Sequence, residues 1–311
     1  MSFSADVKNE IIKNFEGNRK QNLSFVLGML CFGGRLIKSD NRKKLRFTTE
    51  NPKIARTLYT LIKNEFSIVA KLTIHKTAKN IMYIVAVDDE KYIEELFYIT
   101  GLLKRGDSLN SFISFRISSS VIESVSLKKA FIMGAFLGGG SVSDPQKNNH
   151  LEFVTSHFKL SRDFQKLLNS CEFSPKIVIR KSNYVLYFKT GSEVTDMLVM
   201  LDTFDSLMEY HNVKIMKDMR NNINRKTNCD NANLNKTVEA SLIQVRAIEK
   251  LKRLGVYDNL PMQLKEIADL RLEYREMSLQ ELGSMLSSPI GKSGVNHRLR
   301  KLVNEAEKYK D

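Results

Sequence analysis

The chain has 311 residues, with 49 lysines and arginines against 35 aspartates and glutamates, for a formal net charge of +14. This excess favours an anionic partner, most commonly nucleic acid, although a lysine-rich proteome would also produce it. No apolar run reaches the roughly 18–20 residues that span a bilayer, no signal-peptide layout opens the chain, and the 3 cysteines are too widely spaced for a disulfide framework or a CxxC site. We therefore expect a cytoplasmic protein of about two domains.

The first hundred residues predict an alternation of helices and strands. A short amphipathic helix is expected over residues 4–15, followed by a helix without a polar face over residues 23–32. Pro52 opens an amphipathic helix, because proline suits the first helical turn. Period-two patterns predict the strands, and the expected elements from residue 36 to 100 are strands 36–39, 44–49, 69–75 and 81–87 and helices 52–65 and 90–100.

The same order of elements recurs after a serine-rich link at residues 103–125. Residues 112–117 of this link could add a strand. A second apolar run then begins near Ala130, and the elements expected after it are strand 150–155, helix 159–171, strands 176–180 and 184–189 and helix 192–201.

An offset of 106 residues relates the two segments. Residues 24–36 match residues 130–142, and residues 45–49 match residues 151–155, so the chain contains an internal duplication. Glycine in a helix costs about 0.5–1 kcal/mol relative to alanine, so glycines at matched positions need a reason. We expect them to permit close packing of two helices across a pseudo-two-fold axis, and the candidates are Gly28, Gly33, Gly34, Gly134, Gly138, Gly139 and Gly140.

The two glycine-containing runs resemble degenerate LAGLIDADG motifs of homing endonucleases. The resemblance implies two αββαββα halves, and in that family an acidic residue before the last glycine of the motif holds a catalytic divalent metal. Gly33 and Gly139 stand at those positions here, and residues 24–39 and 124–143 contain no aspartate or glutamate. Because magnesium prefers carboxylate ligands, we expect no catalytic residue, no metal and no cofactor.

A basic, asparagine-rich segment follows at residues 209–236. One interpretation is a polar connector between domains whose amides cap turns. The other is a linker that contacts phosphates, because basic and amide side chains both bind phosphate oxygens. The candidates for such contacts are Lys217, Arg220, Arg225 and Lys226. A separate helix with a basic C-terminal end is expected over residues 237–254.

The last fifty residues predict a helix-turn-helix. Pro261 starts one helix, a capping box from Ser278 to Glu281 starts a short second one, residues 287–291 form a turn, and Ser293 caps a third helix. The alternative is a surface helix with ordinary solvated charges. The third helix would bury Val295, Leu299 and Leu302 and present a polar stripe to the outside, consisting of Ser293, Asn296, His297, Arg300 and Asn304.

The outward side chains of the third helix are candidates for DNA contact. We expect Lys292, Arg298 and Lys301 to bind phosphates, while arginine and asparagine are the residue types that bind guanine and adenine edges. The full candidate set is Ser278, Lys292, Ser293, Asn296, His297, Arg298, Arg300 and Lys301. This part of the chain resembles the promoter-binding C-terminal domain of sigma factors.

The combination of both halves resembles the WhiA family of bacterial transcriptional regulators, over essentially the whole chain. Residues 213–225, 228–237 and 289–301 share in this resemblance. The predicted fold class is α+β: a pseudo-two-fold duplicated αββαββα LAGLIDADG-like domain followed by an all-α helix-turn-helix domain. The expected divisions are an N-terminal helix (1–20), repeat 1 (21–102), the link (103–125), repeat 2 (126–208), the basic linker (209–236) and the DNA-binding domain (237–311).

The family resemblance implies a function in gene control. We expect a monomeric, nucleoid-associated, sequence-specific regulator that binds double-stranded DNA and takes part in cell division and chromosome segregation, and in sporulation in spore-forming relatives. A small regulatory protein is a further expected partner, because part of the family has an iron–sulfur one. Two alternatives stay open: a protein–protein scaffold on the nucleoid, and a metal-dependent endonuclease, which the missing acids disfavour.

Overall fold

Two copies of one chain path build the first part of the molecule in the computed structural model, which describes residues 2–39, 42–77, 80–103, 109 and 115–309. The chain divides into two units, Met1–Lys217 and Asp218–Asp311. Each copy runs αββαββ in the predicted order and ends in a further helix. The elements of the first copy, after helix α1 (Phe3–Asn14), are α2 (Arg19–Gly33), β1 (Gly34–Ser39), β2 (Arg42–Thr49), α3 (Pro52–Phe66), β3 (Lys71–Lys76), β4 (Ile81–Val87) and α4 (Glu90–Ile99).

The second copy repeats this topology. Its elements are α5 (Val125–Gly139), β5 (Gly140–Val142), β6 (Leu151–Thr155), α6 (Phe158–Asn169), β7 (Lys176–Arg180), β8 (Asn183–Phe188) and α7 (Gly191–Met200). The two antiparallel sheets have the orders β1-β2-β4-β3 and β5-β6-β8-β7. Gly34 pairs with Phe47, and Gly140 pairs with Phe153. The 106-residue offset therefore holds in the register of the first hairpin of each repeat, and the predicted fold class is confirmed.

Helices α2 and α5 pack against each other at the centre of the first unit. Almost every residue in the middle of each is buried, from Ser24 to Cys31 and from Ala130 to Leu137. The prediction of a helix without a polar face is therefore confirmed. Its predicted start at residue 23 was wrong, because Asn18 caps α2 with its side chain and the exposed first turn carries no apolar pattern.

The predicted connector at residues 209–236 is not a chain of turns. It lies inside one helix, α8 (Phe204–Arg253), which also contains most of the separate helix expected over residues 237–254. Asparagine is only a moderately poor helix former, and no glycine or proline interrupts the sequence between Phe204 and Arg253. The middle of the helix is exposed, so burial does not explain its continuity.

The second unit has its own core, built from the end of α8 and three shorter helices. These are α9 (Met262–Glu273), α10 (Leu279–Ser284) and α11 (Lys292–Glu307). Their buried apolar side chains include Ile248 and Leu251 of α8, Ile267 of α9 and Leu282 of α10. Each helix contributes one apolar face to a shared interior, as expected of a small helical domain.

Two further expectations concern the link and the membrane. Residues 115–117 of the strand expected in the link are not in a strand, and residues 112–114 lie outside the described residues. Within the described ranges, no helix combines the length and the apolar composition that a bilayer crossing requires.

Candidate nucleic-acid interface

Helices α10 and α11 form a helix-turn-helix. The side chain of Ser278 accepts a hydrogen bond from the backbone of Glu281, and Glu281 accepts one from the backbone of Ser278, so the predicted capping box is confirmed. After α10 the chain turns back tightly, and the amide of Ile290 donates to the carbonyl oxygen of Gly283 at 3.1 Å. A Cβ at Gly283 would lie 3.0 Å from Val295 and would overlap the Ile290 carbonyl. Glycine therefore allows the turn to pack on α10.

The predicted cap of α11 was wrong. Gly291 is the N-cap residue, and Ser293 lies inside the first helical turn, where it is exposed. Gly291 is the last residue with extended backbone, and no side chain caps the helix. The orphan amide groups of this first turn can therefore bind an acceptor such as a phosphate oxygen.

One face of α11 is buried and the opposite face carries the predicted candidates. Val295, Leu299 and Leu302 are 0% exposed. Ser293, Asn296, His297, Arg300 and Lys301 are exposed, as are Lys292 and Asn304, whereas Arg298 is half-buried on the flank. Helix α11 carries four cations: Lys292, Arg298, Arg300 and Lys301. None of them forms an ion pair with a described residue.

Two residues outside the predicted set position this face. Glu266 accepts a hydrogen bond from the amide of Ser287 at 2.5 Å, which fixes the turn before α11. This backbone hydrogen bond, aided by the positive charge of Arg298, lowers the pKa of the Glu266 carboxyl group. Twenty-one residues separate Glu266 from its partner, so no local sequence signal could have indicated the contact.

Arg271 is the second positioning residue. It is 1% exposed, and its Nη1 donates to the carbonyl oxygens of Met277 at 2.8 Å, Arg275 at 3.2 Å and Tyr274 at 3.4 Å. Burial lowers the pKa of its guanidinium group. Arg271 thereby ties the end of α9 to the loop before α10. The residues next to Arg271 on the inner face of α9 are apolar. This was the only feature of the sequence that indicated burial of Arg271.

The predicted glycines fall into two groups. A Cβ at Gly28 would overlap the Phe131 carbonyl, one at Gly134 would lie 2.8 Å from the carbonyl carbon of Phe25, and one at Gly138 would lie 2.6 Å from the Met29 oxygen. These glycines lie where α2 and α5 touch. Gly34 and Gly140 differ: the atoms nearest to a Cβ there belong to the preceding turn of the same helix, at Leu30 and Phe136 respectively. These nearest neighbours do not support their assignment to the contact between the helices, because each follows the last residue of its helix.

The two positions of the catalytic acids have little room for a side chain. A Cβ at Gly33 would lie 2.9 Å from the Gly138 oxygen, and one at Gly139 would lie 2.6 Å from the Val154 oxygen. Real Cβ atoms essentially never approach other atoms below 3.0 Å. A carboxylate at either position would therefore require the backbone to move. Across the described residues, no three His, Cys, Asp or Glu side chains are grouped so that they could hold a metal ion.

The linker cations are exposed but not collected on one side of α8. Lys217, Arg220, Arg225 and Lys226 make no ion pair with the described part of the chain. At about 100° per residue, Lys226 points roughly opposite to Lys217 around the helix. A single straight duplex beside α8 could therefore contact only some of them.

Sequence models of three domains match this chain in order. The WhiA N-terminal LAGLIDADG-like domain matches residues 19–103, the WhiA LAGLIDADG-like domain matches residues 128–220, and the WhiA C-terminal HTH domain matches residues 223–306. Together they cover well over half of the chain. The protein belongs to the WhiA family.

Relatives agree with this assignment over the full length. The chain is 42% identical over 313 residues to "Probable cell division protein WhiA" of Clostridium perfringens, covering 100% of this chain and 99% of the relative. It is 40% identical over 313 residues to the protein of the same name from Clostridium beijerinckii, with the same coverage. The crystal structure of full-length WhiA from Thermatoga maritima is 25% identical, covers 100% of both chains and has a TM-score of 0.58.

Proposed function

We propose that this WhiA-family protein is a sequence-specific DNA-binding regulator of transcription. The observation that carries the proposal is the outward face of α11. Lys292, Arg300 and Lys301 are exposed there, and no described carboxylate pairs with them. Exposed, unpaired cations beside asparagine and histidine suit phosphates and base edges. The relatives' name, "Probable cell division protein WhiA", supports cell division as the process that it regulates.

We further propose four roles that membership of the WhiA family suggests. The protein acts as a monomer on double-stranded DNA at the nucleoid, influences chromosome segregation, and cooperates with a small regulatory protein. In spore-forming relatives the same activity serves sporulation. Mapping the DNA that the protein occupies across the genome tests these roles. Occupancy scattered without a common sequence motif would contradict the proposal of a sequence-specific regulator.

A direct binding experiment tests the site itself. Duplexes selected from a random pool by the full chain should share a motif, and binding should fall strongly when Lys292, Arg298, Arg300 and Lys301 are all changed to glutamine. Each lost phosphate contact lowers the dependence of affinity on salt. The matched control changes four exposed lysines and arginines of the first unit: Lys20, Lys53, Arg56 and Lys159. Equal losses in both variants would show a nonspecific charge effect and contradict the assignment to α11.

One of the two alternatives is an endonuclease, and it has a simple test. We predict no cleavage of supercoiled plasmid with Mg²⁺ or Mn²⁺, because Gly33 and Gly139 stand at the positions of the metal-binding acids and leave little room for one. Nuclease-free preparations of the protein should leave the plasmid intact while still retarding it in a gel. Metal-dependent nicking that copurifies with the protein would contradict a non-enzymatic function.

A further inference from the structure

The two repeats differ where helix α1 docks on the first unit. The hydroxyl oxygen of Ser4 accepts a hydrogen bond from the amide of Val142 on β5 at 3.3 Å. Asn9 accepts one from the side chain of Asn51, the N-cap residue of α3, at 2.9 Å. Helix α1 therefore covers the place where β5 of one repeat meets the start of α3 of the other. Among the described residues, no helix takes the equivalent position on the opposite side.

The equivalent place is a cavity. The 106-residue offset relates Val142 to Leu36 and Asn51 to His157, and both Leu36 and His157 line a cavity of about 740 Å³. Strand β1 and the chain between β6 and α6 form its walls. A volume of this size is within the range of small-molecule sites, about 300–1,000 Å³.

The charges of the cavity favour an anion. Arg35 and Lys38 line it, both are exposed, and neither makes an ion pair with a described residue. None of the described lining residues is acidic. A cation at the wall of a concave site attracts negative groups when no described carboxylate pairs with it, and hydrogen bonds between such a cation and a phosphate are among the strongest in proteins.

The cavity also offers flat, weakly polar groups. Phe115 stacks on the ring of His157, with centroids 4.5 Å apart and an interplanar angle of 27°, and both residues line the cavity together with the half-buried Phe32. Burial lowers the pKa of His157 and so favours the neutral ring, which offers one donor and one acceptor. Neither ring nitrogen of His157 forms a hydrogen bond with a described residue. Such a lining suits an aromatic ring with polar edges.

A difference in helix capping adds to the preference for an anion. In the first repeat the side chain of Asn51 accepts a hydrogen bond from the amide of Lys53 at 2.9 Å and so caps α3. In the second repeat His157 stands at that place, and α6 has no side-chain cap. The free amides at the start of α6 would support a phosphate that Arg35 and Lys38 already attract.

We propose that this cavity binds a small phosphorylated molecule with a flat aromatic ring, of the nucleotide class. The cations and the uncapped end of α6 bind the phosphate, and the ring packs against the aromatic side chains. A single strand of nucleic acid shares this chemistry, but the concave, bounded volume favours a small molecule. The cavity contains no residue of α11. If no ligand binds in the cavity, the proposed regulation of transcription is therefore unaffected.

Calorimetric titration of the full chain tests the ligand class. The probes are AMP, GMP, CMP and UMP, with the matching nucleosides, inorganic phosphate and a twelve-nucleotide single strand. We expect at least one monophosphate to bind about tenfold more tightly than its nucleoside and than phosphate, because each half of the ligand adds contacts. Equal affinity for phosphate would mean an adventitious ion only and would overturn the proposal. Binding of the oligonucleotide alone, or of no probe, would also overturn it.

Three variants locate the binding. Arg35→Gln and Lys38→Gln should each weaken monophosphate binding about tenfold, the usual loss with a charge-assisted hydrogen bond, while Arg56→Gln, an exposed arginine on α3 outside the cavity, should not. His157→Asn copies the cap of the first repeat: it should raise the melting temperature and weaken binding. Because Arg35 and Lys38 are exposed and unpaired, their variants should fold. Unchanged affinity for the monophosphate in both Arg35→Gln and Lys38→Gln would contradict the proposal.

Discussion

Arg300 and Lys301 are neighbours in α11, and the proposed interface gives them different tasks. Both are exposed and neither is paired with a described acid. Arginine has a planar fork that matches two acceptors of guanine, whereas lysine is a point charge suited to phosphate. The sequence predicted which residues of this helix face outward, because its apolar period leaves only one opposite face. It could not predict where the helix begins, because Ser293 and Gly291 are both acceptable caps.

We predict that Arg300→Ala costs about 1–3 kcal/mol of binding and relaxes specificity at one base position. Lys301→Ala should weaken target and random duplexes alike and reduce the salt slope by about one unit. Titrations of both variants against both duplexes at several salt concentrations measure the difference. The assignment is wrong if the two variants show the same profile.

Gly134 illustrates what a residue pattern can predict and what it cannot. Matched glycines at an offset of 106 indicated close packing, and Gly28 and Gly134 indeed lie where α2 and α5 meet. The pattern gave Gly34 and Gly140 the same expectation, yet the atoms nearest to a Cβ at either position belong to its own helix. A repeat shows that two positions are equivalent, but not which atoms each one approaches.

We predict that Gly134→Leu destabilises the first unit by more than the typical overpacking cost of about 1–3 kcal/mol. Its Cβ alone would overlap the Phe25 backbone, and a backbone cannot rotate away as a side chain can. The control is Gly191→Ala at the start of α7, where a Cβ meets only side-chain atoms at 3.2 Å or more. Thermal melts compare them. A melting temperature of Gly134→Leu equal to that of Gly191→Ala would contradict close helix packing.

At the scale of elements, α8 is a long helix that the residue pattern did not predict. Its asparagines indicated turns, whereas the chain forms one helix of 50 residues. Helix propensities sum over a segment, and the absence of glycine and proline matters more than any single asparagine. The start of α8 depends on a distant residue: Glu10 of α1 accepts hydrogen bonds from the amides of Asp205 at 2.7 Å and Ser206 at 2.9 Å. No local motif announces this contact, because about 200 residues separate the partners.

We predict that Glu10→Ala lowers the free energy of unfolding of the first unit by about 2–3 kcal/mol, through the loss of a buried charged acceptor for two helix amides. The Ser206 hydroxyl, which donates to the same carboxylate, would also lose its partner. Denaturant unfolding measures the change. Glu16→Ala, an exposed glutamate just after α1, is the control. A loss no larger than that of the control would mean that the cap contributes nothing measurable.

At the scale of the whole chain, the duplication made the fold predictable. It could not predict the places where the two repeats differ. The matched residues at an offset of 106 predicted that the second repeat follows the path of the first, although they did not predict the short strand β5 (Gly140–Val142). Matching residues between the repeats cannot predict where the repeats differ. Helix α1 covers one of two equivalent places, and His157 replaces the capping Asn51 at the other. The proposed ligand cavity lies at such a difference, which is why composition and motifs gave no indication of it.

The linker cations provide a test of how much of the chain contacts DNA. We predict that changing Lys217, Arg220, Arg225 and Lys226 together to glutamine reduces the slope of log affinity against log salt by about one or two units. Each neutralised phosphate contributes about 0.9 to this slope, so four contacts would remove more than three. The smaller value is expected because Lys226 points roughly opposite to Lys217, so one duplex beside α8 reaches at most the other three cations.

Binding titrations between low and moderate salt, with the selected duplex, measure this slope. The control variant changes Asn222, Asn224, Asn231 and Asn235 of the same helix to glutamine, which alters the surface without altering charge. An unchanged slope in the cation variant would show that α8 makes no phosphate contact and that α11 supplies the binding. A reduction above three units would instead require the DNA, or α8 itself, to bend so that all sides of the helix are reached.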